Sequence, residues 1–139
     1  MDFLLDAERV LLGMVGGAAI FMVAGVRPHL PKEGGERIAG AVWARFNALA
    51  MGAVALVVVL AAARLADGSD EALVHLIGGL VLLAVIFLKS RLDTGISDRT
   101  AAAGPEGPDP ETMQRDVARV IPFVVATQVL SIALALAPA

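Results

Sequence analysis

Asn47, His75 and Gln128 are polar side chains within long apolar stretches, and they are the first candidates for chemistry. Gln128 lies nearest the middle of its stretch, and Asn47 is the sole polar side chain between residues 46 and 63. A carboxamide both donates and accepts hydrogen bonds, so it can join two helices or line a path for a polar solute. We therefore interpret Gln128 and Asn47 either as interhelical contacts or as pathway residues.

The two histidines, His29 and His75, are candidate ligands, because imidazole is the commonest protein ligand of metals and a frequent haem ligand. They lie at opposite ends of their apolar stretches, so one chain cannot place both on one ion. His75 with Met14 or nearby acids is the remaining metal candidate, and an interfacial His75 is the alternative. The chain has no cysteine, no phosphate-binding loop and no Ser-His-Asp set. The sequence thus predicts no cofactor and no catalytic site.

Four stretches without Asp, Glu, Lys or Arg must position these side chains: residues 10–26, 46–63, 72–88 and 120–139. Each has 17 to 20 residues, and at about 1.5 Å per residue that nearly crosses a hydrocarbon core of about 30 Å. The chain is 58% hydrophobic and 18% charged, and its mean hydropathy is +0.77. The middle stretches lack the polar face that a helix of a soluble bundle needs. The sequence predicts a single all-α domain, an integral membrane four-helix bundle of up-down-up-down topology.

The distribution of basic residues predicts the orientation of the four spans. Nine of the eleven Lys and Arg residues fall in the two longer connections, between spans one and two and between spans three and four. By the positive-inside rule these connections face the cytoplasm, and both termini lie outside. We expect a bacterial cytoplasmic (inner) membrane. The acidic segment 1–9 is atypical of a secretory signal, so the first stretch is interpreted as a retained span.

Charged residues at the ends of the spans have two interpretations. Arg27, Arg45 and Arg119 mark the inner ends, where they can snorkel to the interface or bind an anionic lipid head group. The acids at the outer ends, Glu8 among them, form either a solvated rim or a rim that concentrates cations.

The connections carry their own structural signals. A helical pattern resumes near Gly35, before the second span. Residues 93–110 have the Gly, Pro and acid content of a mobile loop. Asp109 followed by Pro110 is typical of a helix start, since the acid can cap and proline suits the first turn. The fourth helix should therefore begin well before its span.

Small residues recur at helical spacing and predict close packing of the helices. They are Gly13, Gly17, Gly40, Gly52 and Gly78. Packing within one bundle is the first interpretation. A homodimer through the GxxxG pair Gly13 and Gly17 is the alternative.

The segment from Phe21 to Arg45 resembles a known family. Phe21 near the end of span one, the Pro28-x-Leu30 exit, Glu36-x-x-Ala39-Gly40 and Arg45-Phe46 carry the likeness. It is similar to the transmembrane-protein-205-like domains of unknown function, which are distantly similar to copper-resistance D domains. The resemblance implies a four-span architecture more than an activity. Copper- and haem-handling relatives tend to carry a histidine in span one, and this chain has none there.

Three function classes are compatible with the sequence. The leading hypothesis is a non-enzymatic accessory or assembly subunit of a membrane complex, in contact with lipids and with another membrane protein or a second copy. The first alternative is a transporter or channel for a small solute or ion. No acid lies inside the four spans, which counts against a proton-coupled exporter. The second alternative is a metal- or haem-handling protein, and no nucleic-acid partner is expected.

Overall fold

The computed structural model describes residues 2–32 and 34–138, and these residues form four helices. The helices are α1 (Asp2–Phe21), α2 (Gly35–Ala66), α3 (Ala72–Ala102) and α4 (Pro110–Leu136). Each is long and apolar enough to cross a membrane, with the first candidate span running over Phe3–His29. The predicted all-α membrane bundle is confirmed.

The four helices pack as a ring, in which α1 contacts α2 and α4, and α3 also contacts α2 and α4. The start of α1, the end of α2, the start of α3 and the end of α4 lie together, and we name this the terminal end. The opposite end, where α2 begins and where residues 103–109 join α3 to α4, is named the connection end. Short links between antiparallel neighbours produce this up-down-up-down order.

The turn between α2 and α3 is a tight C-terminal cap at the terminal end. The Gly68 N–H donates to the Leu65 carbonyl and the Ser69 N–H to the Arg64 carbonyl, both at 3.0 Å. This pair of bonds is a Schellman motif, and it requires the left-handed backbone that Gly68 adopts at φ 92°. The cap satisfies carbonyls that the end of α2 would otherwise leave unpaired, and it brings the start of α3 directly alongside α2.

Helix α3 is longer than the sequence indicates. We expected a mobile loop over 93–110, but α3 continues to Ala102 and leaves residues 103–109 as the connection. The Arg99 guanidinium donates two hydrogen bonds to the Asp116 carboxylate of α4, at 2.7 and 3.2 Å. Such contacts with a neighbouring helix override the weak intrinsic helix propensity of this stretch. Helices α2 and α4 begin where the sequence placed them.

The end of α1 departs from α-helical geometry. A π-helical turn over Met22–Val26 follows Phe21, and a 3-10 turn over Arg27–His29 ends the helix. Pro28 lacks the N–H that a continued helix would use, and its ring disfavours the preceding turn. His29 Nδ1 donates to the Gly25 carbonyl at 2.8 Å and closes this end.

The outer surface of the bundle is apolar along its length. Large apolar side chains that face outward include Leu49, Val59, Ile77, Phe87 and Val129, each more than half exposed. A soluble protein rarely carries such an extended apolar surface. Lipid is the solvent that this surface requires, so the protein is an integral membrane protein.

Two of the predicted packing glycines lie at close helix contacts. A Cβ at Gly78 would overlap the Leu134 side chain of α4, and one at Gly40 would lie 2.8 Å from Ser97 Oγ of α3. These glycines let neighbouring helices approach more closely than any larger residue would allow.

The other three predicted packing glycines make no close helix contact within the described part of the bundle. Apart from the local helix backbone, no atom of the described residues lies within 4 Å of a Cβ built at Gly13, Gly17 or Gly52. Gly17 and Gly52 are exposed, because their faces of α1 and α2 turn away from the bundle. The close contact on α1 belongs to Gly16 instead, whose Cβ would meet Ile132 and Ser131 of α4.

Candidate functional site

A cavity of about 600 Å³ lies among the four helices at the connection end. Its volume falls in the range of about 300–1,000 Å³ that is typical of small-molecule pockets. The π-helical turn of α1 forms one wall, and the first half of α4 faces it. Most of the wall is apolar, with side chains that include Met22, Val23, Val26, Val42, Ile96, Val117, Val120, Val124 and Val125.

Polar groups enter the cavity at a few points. Trp43 of α2, Asp93 of α3 and Gln128 of α4 line its wall, and Arg27 and Lys32 lie near its mouth. Trp43 is the single tryptophan of the chain. An apolar pocket with a small number of polar groups can bind the apolar part of a ligand and orient its polar part.

Behind this wall is a buried ionic group, here named the Lys89 cluster (Asn47, Lys89 and Asp93). Lys89 is fully buried, and its Nζ donates to Asp93 Oδ2 at 2.6 Å and to Asn47 Oδ1 at 3.0 Å. Asn47 Nδ2 donates to the same Asp93 oxygen at 2.7 Å. The ammonium also lies 3.7 Å from the centroid of the Trp43 ring, within cation–π range. The two hydrogen bonds of Nζ and the Trp43 ring replace the water that Lys89 loses on burial.

A second buried ionic group, the Glu8 cluster (Glu8, Arg64 and His75), lies at the terminal end. Glu8 is completely buried, and Arg64 and His75 are 4% and 3% exposed. Arg64 Nη1 lies 2.9 Å and His75 Nδ1 2.5 Å from the same oxygen, Glu8 Oε2. His75 Nε2 lies 2.9 Å from the Leu134 carbonyl. The cluster thus joins all four helices.

An apolar layer separates the two clusters. Its buried side chains come from α1, α2 and α3 and include Leu12, Val15, Val54, Val57, Leu82 and Ile86. These side chains are between 0% and 4% exposed. On α4 the buried hydroxyls of Thr127 and Ser131 lie beside this layer, and both donate to carbonyls of α4 itself. None of the six named apolar side chains lines the cavity, so the cavity ends inside the bundle.

The sequence-predicted polar residues have the following positions. Asn47 joins α2 to α3 within the Lys89 cluster. Gln128 Nε2 donates to the Ala19 carbonyl of α1 at 3.4 Å, and its side chain also lines the cavity. The structure thus gives Gln128 an interhelical bond and also a place at the cavity.

His75 occupies a different environment from the one we expected. We predicted an interfacial side chain or a metal ligand beside Met14, but both ring nitrogens contact protein atoms and Met14 is 64% exposed. Within residues 2–32 and 34–138, no three His, Cys, Asp or Glu side chains come together as a metal site. The physical reason is that α1 turns Glu8 toward His75, while Met14 lies on its outer face.

The expected solvated acidic rim is wrong for Glu8. Lys89, the basic residue that directly follows the third apolar stretch, does not extend to the membrane surface. Both are fully buried. Arg27, Arg45 and Arg119 are exposed at the connection end, and Arg27 also lines the cavity. Their contact with anionic lipid stays a prediction.

Glu8 and Lys89 could have been recognised from the sequence, because each continues the helical periodicity of a buried face beyond the end of an apolar stretch. Glu8 lies four and seven positions before the buried Leu12 and Val15, on the same face of α1. Lys89 lies three and seven positions after Ile86 and Leu82 on α3. Treating each charge as the boundary of a span hid both residues, because a charge with buried partners can continue a buried face.

The fold and the site define an all-α polytopic membrane protein with a cavity at one end and paired charges at both ends. No family model, curated protein or solved structure matches this chain. The resemblance of the segment from Phe21 to Arg45 to transmembrane-protein-205-like domains therefore stays a prediction. The function must be argued from the geometry of the site.

Proposed function

We propose that this protein binds a small amphipathic molecule in the cavity at its connection end. The supporting observation is the cavity itself, about 600 Å³ of largely apolar space with Trp43, Asp93 and Gln128 in its wall. The apolar part of the ligand packs between α1, α2 and α4. The polar end of the ligand contacts the side chains of Asp93 and Trp43.

The charges around the cavity favour an uncharged polar end. Asp93 is already paired with Lys89, and Asp116, which also lines the cavity, is paired with Arg99. Arg27 and Lys32 also line the cavity, but both are exposed to solvent. Beside Asp93 a ligand charge would have no dedicated partner, and burying an unpaired charge is costly. An alcohol or an amide avoids that cost, and its N–H or O–H can donate to the Asp93 carboxylate.

Ligand binding, or transport by a conformational change of the bundle, fits the structure better than an open channel. The apolar layer of Val54, Val57, Leu82 and Ile86 fills the bundle beyond the cavity. The buried hydroxyls of Thr127 and Ser131 beside this layer already donate to carbonyls of their own helix. A polar solute would therefore lose its hydration there and receive few replacement bonds. Of the function classes that the sequence left open, small-solute transport is closest to this proposal.

Quenching of Trp43 fluorescence tests the proposal. Dodecanol with a terminal bromine, added to the protein in lipid nanodiscs, should quench Trp43 in a saturable manner. Ala39 lines the cavity on α2, and Ala39→Phe should weaken binding by about tenfold or more, a loss of about 1.4 kcal/mol. The carboxylate and trimethylammonium analogues of the probe should bind less tightly than the alcohol.

The matched control is Ala44→Phe, the same change on the same helix at an exposed position that does not line the cavity. This variant should bind like the parent protein. Quenching that rises linearly with probe concentration, or that Ala39→Phe leaves unchanged, would show partition into lipid and refute the proposal.

We also propose the orientation that the basic residues indicate. Both termini lie on the outer side of a cytoplasmic membrane, and the cavity faces the cytoplasm. The support is the excess of Lys and Arg in the two longer connections. Membrane-impermeant labelling of tags at either terminus of the protein in intact cells should succeed without permeabilisation. Labelling that requires permeabilised cells would reverse the orientation.

The accessory-subunit hypothesis, with another membrane protein or a second copy as partner, stays a prediction from the sequence. The exposed Gly17 and Gly52 are compatible with a partner that packs on the outside of α1 and α2. A ligand-binding bundle can also belong to a larger complex, so the two hypotheses are not exclusive.

A further inference from the structure

The Glu8 cluster lies at the terminal end of the bundle, away from the cavity. Ligand binding in the cavity does not involve this cluster. Its hydrogen bonds fix the number of protons it holds. The Leu134 carbonyl can only accept, so His75 Nε2, 2.9 Å away, must carry a hydrogen and donate it. Nδ1 of the same ring lies 2.5 Å from Glu8 Oε2. One more hydrogen must lie between those two atoms, because two facing lone pairs would repel.

Neither tautomer of a neutral His75 beside an ionised Glu8 satisfies both contacts. A hydrogen on Nε2 alone leaves Nδ1 facing the carboxylate, and a hydrogen on Nδ1 alone leaves Nε2 facing the carbonyl. The geometry requires either an imidazolium beside a carboxylate or a neutral imidazole beside a carboxylic acid. Both states contain the same number of protons, one more than a neutral imidazole with a carboxylate.

We propose that Glu8 and His75 together bind one dissociable proton, so that the terminal end of the bundle is a buried protonation site. With that proton and the Arg64 guanidinium, the cluster carries a net charge of one positive unit. Arg64 lies in the last turn of α2, and the Leu134 carbonyl belongs to the last turn of α4. Helix C-termini carry partial negative charge, which stabilises a positive group beside them.

The surroundings hold few other charges that act on this proton. Glu8 comes from α1 and Arg64 from α2, while α4 contributes a backbone carbonyl. Arg9 donates to the Ala137 carbonyl at 2.9 Å, and Glu71, one turn before His75 on α3, is exposed. Glu8 makes both of its bonds through Oε2, and its buried Oε1 has no partner among the described residues.

Loss of the proton would break a contact that holds helices together. His75 connects α3 to α1 through Glu8 and to α4 through Leu134. Without the shared hydrogen, one of these contacts becomes repulsive and must open. The shared hydrogen therefore helps to hold α1, α3 and α4 together at the terminal end.

Nuclear magnetic resonance of protein labelled with ¹⁵N at histidine and ¹³C at the glutamate carboxyls tests this proposal. The exposed His29 gives the second histidine signal in the same spectra. At about pH 8, above the ordinary imidazole pKa of about 6.5, His75 should show two protonated nitrogens, or Glu8 should show a protonated carboxyl. An ionised Glu8 beside a singly protonated His75 at that pH would overturn the proposal.

The variant Glu8→Gln provides the matched comparison. Its amide can donate to a neutral His75, so at about pH 8 His75 should show a single protonated nitrogen in this variant. Asp6→Asn removes an exposed carboxylate from the same helix and should leave the His75 signals unchanged. A His75 that remains doubly protonated in Glu8→Gln at about pH 8 would show that Glu8 does not hold the proton. If Glu8→Gln does not fold, the spectra of the parent protein decide the question alone.

Discussion

Replacement of Glu8 by Leu should lower the free energy of unfolding by about 3–5 kcal/mol, the cost of removing one partner from a buried ion pair. Glu8 is the single acid in its cluster, and Arg64 Nη1 lies 2.9 Å from it. Without it, the guanidinium stays at 4% exposure with no anion in contact. Unfolding of the variant by titration with sodium dodecyl sulfate in mixed micelles measures the loss.

A double variant separates the lost pairing from a general packing defect. Glu8→Leu combined with Arg64→Met removes both charges and fills the space with apolar atoms, so much of the lost stability should return. Asp6→Leu, an exposed acid on the same helix, should change the stability little. A Glu8→Leu protein within about 1 kcal/mol of the parent would show that the pair is not buried as described.

Replacement of Lys89 by Met should have the second largest effect, about 2–3 kcal/mol. The loss leaves Asp93 with a single hydrogen bond, from Asn47. The loss of stability is smaller than for Glu8→Leu, because the Asp93 side chain is 12% exposed and lines the cavity. Removing the ammonium that lies 3.7 Å from the Trp43 ring should also shift the emission of that tryptophan. Both the stability and the emission spectrum can be measured on one sample.

Arg91→Met is the control for this change, since Arg91 is an exposed basic residue two positions along the same helix. It should leave both the stability and the emission spectrum close to those of the parent. Adding Asp93→Asn to Lys89→Met should recover part of the loss, because the unpaired carboxylate is then gone. An unshifted emission in Lys89→Met would contradict the placement of the ammonium on the indole ring.

The fold could be predicted from this sequence because lipid imposes simple rules. Four apolar stretches, the cap signal of Asp109 and Pro110, and the restart near Gly35 together predict the helices and their order. The extension of α3 to Ala102 could not be predicted in the same way. It depends on the ion pair between Arg99 and Asp116, two residues that come together only when α3 and α4 are packed.

The site was harder to predict for a related reason. Asn47 and Gln128 stood out as polar residues among apolar neighbours, and both make interhelical bonds. Glu8 and Lys89 lie outside the charge-free stretches, since a span is conventionally drawn to end at a charge. Their burial depends on partners 56 and 42 residues away, Arg64 and Asn47. Sequence periodicity can place such a residue on a buried face, but it cannot name the partner.

The cavity depends on backbone geometry that no residue pattern indicated. The π-helical turn over Met22–Val26 sets the wall that α1 contributes, and α4 faces it across the open space. Pro28 predicts the end of the helix, but it does not predict a π-turn before that end. A space between helices is a property of their packing, which is why it became visible only in the structure.

Crystallography of the protein grown in a lipid phase with bromine-tagged dodecanol tests the central claim, that the cavity binds an amphipathic molecule. Anomalous scattering locates the bromine directly. The account predicts a bromine peak inside the cavity, among Met22, Trp43 and Val124, and no such peak in Ala39→Phe. A bromine found solely on the lipid-facing surface, with the cavity free of probe, would contradict the proposed function.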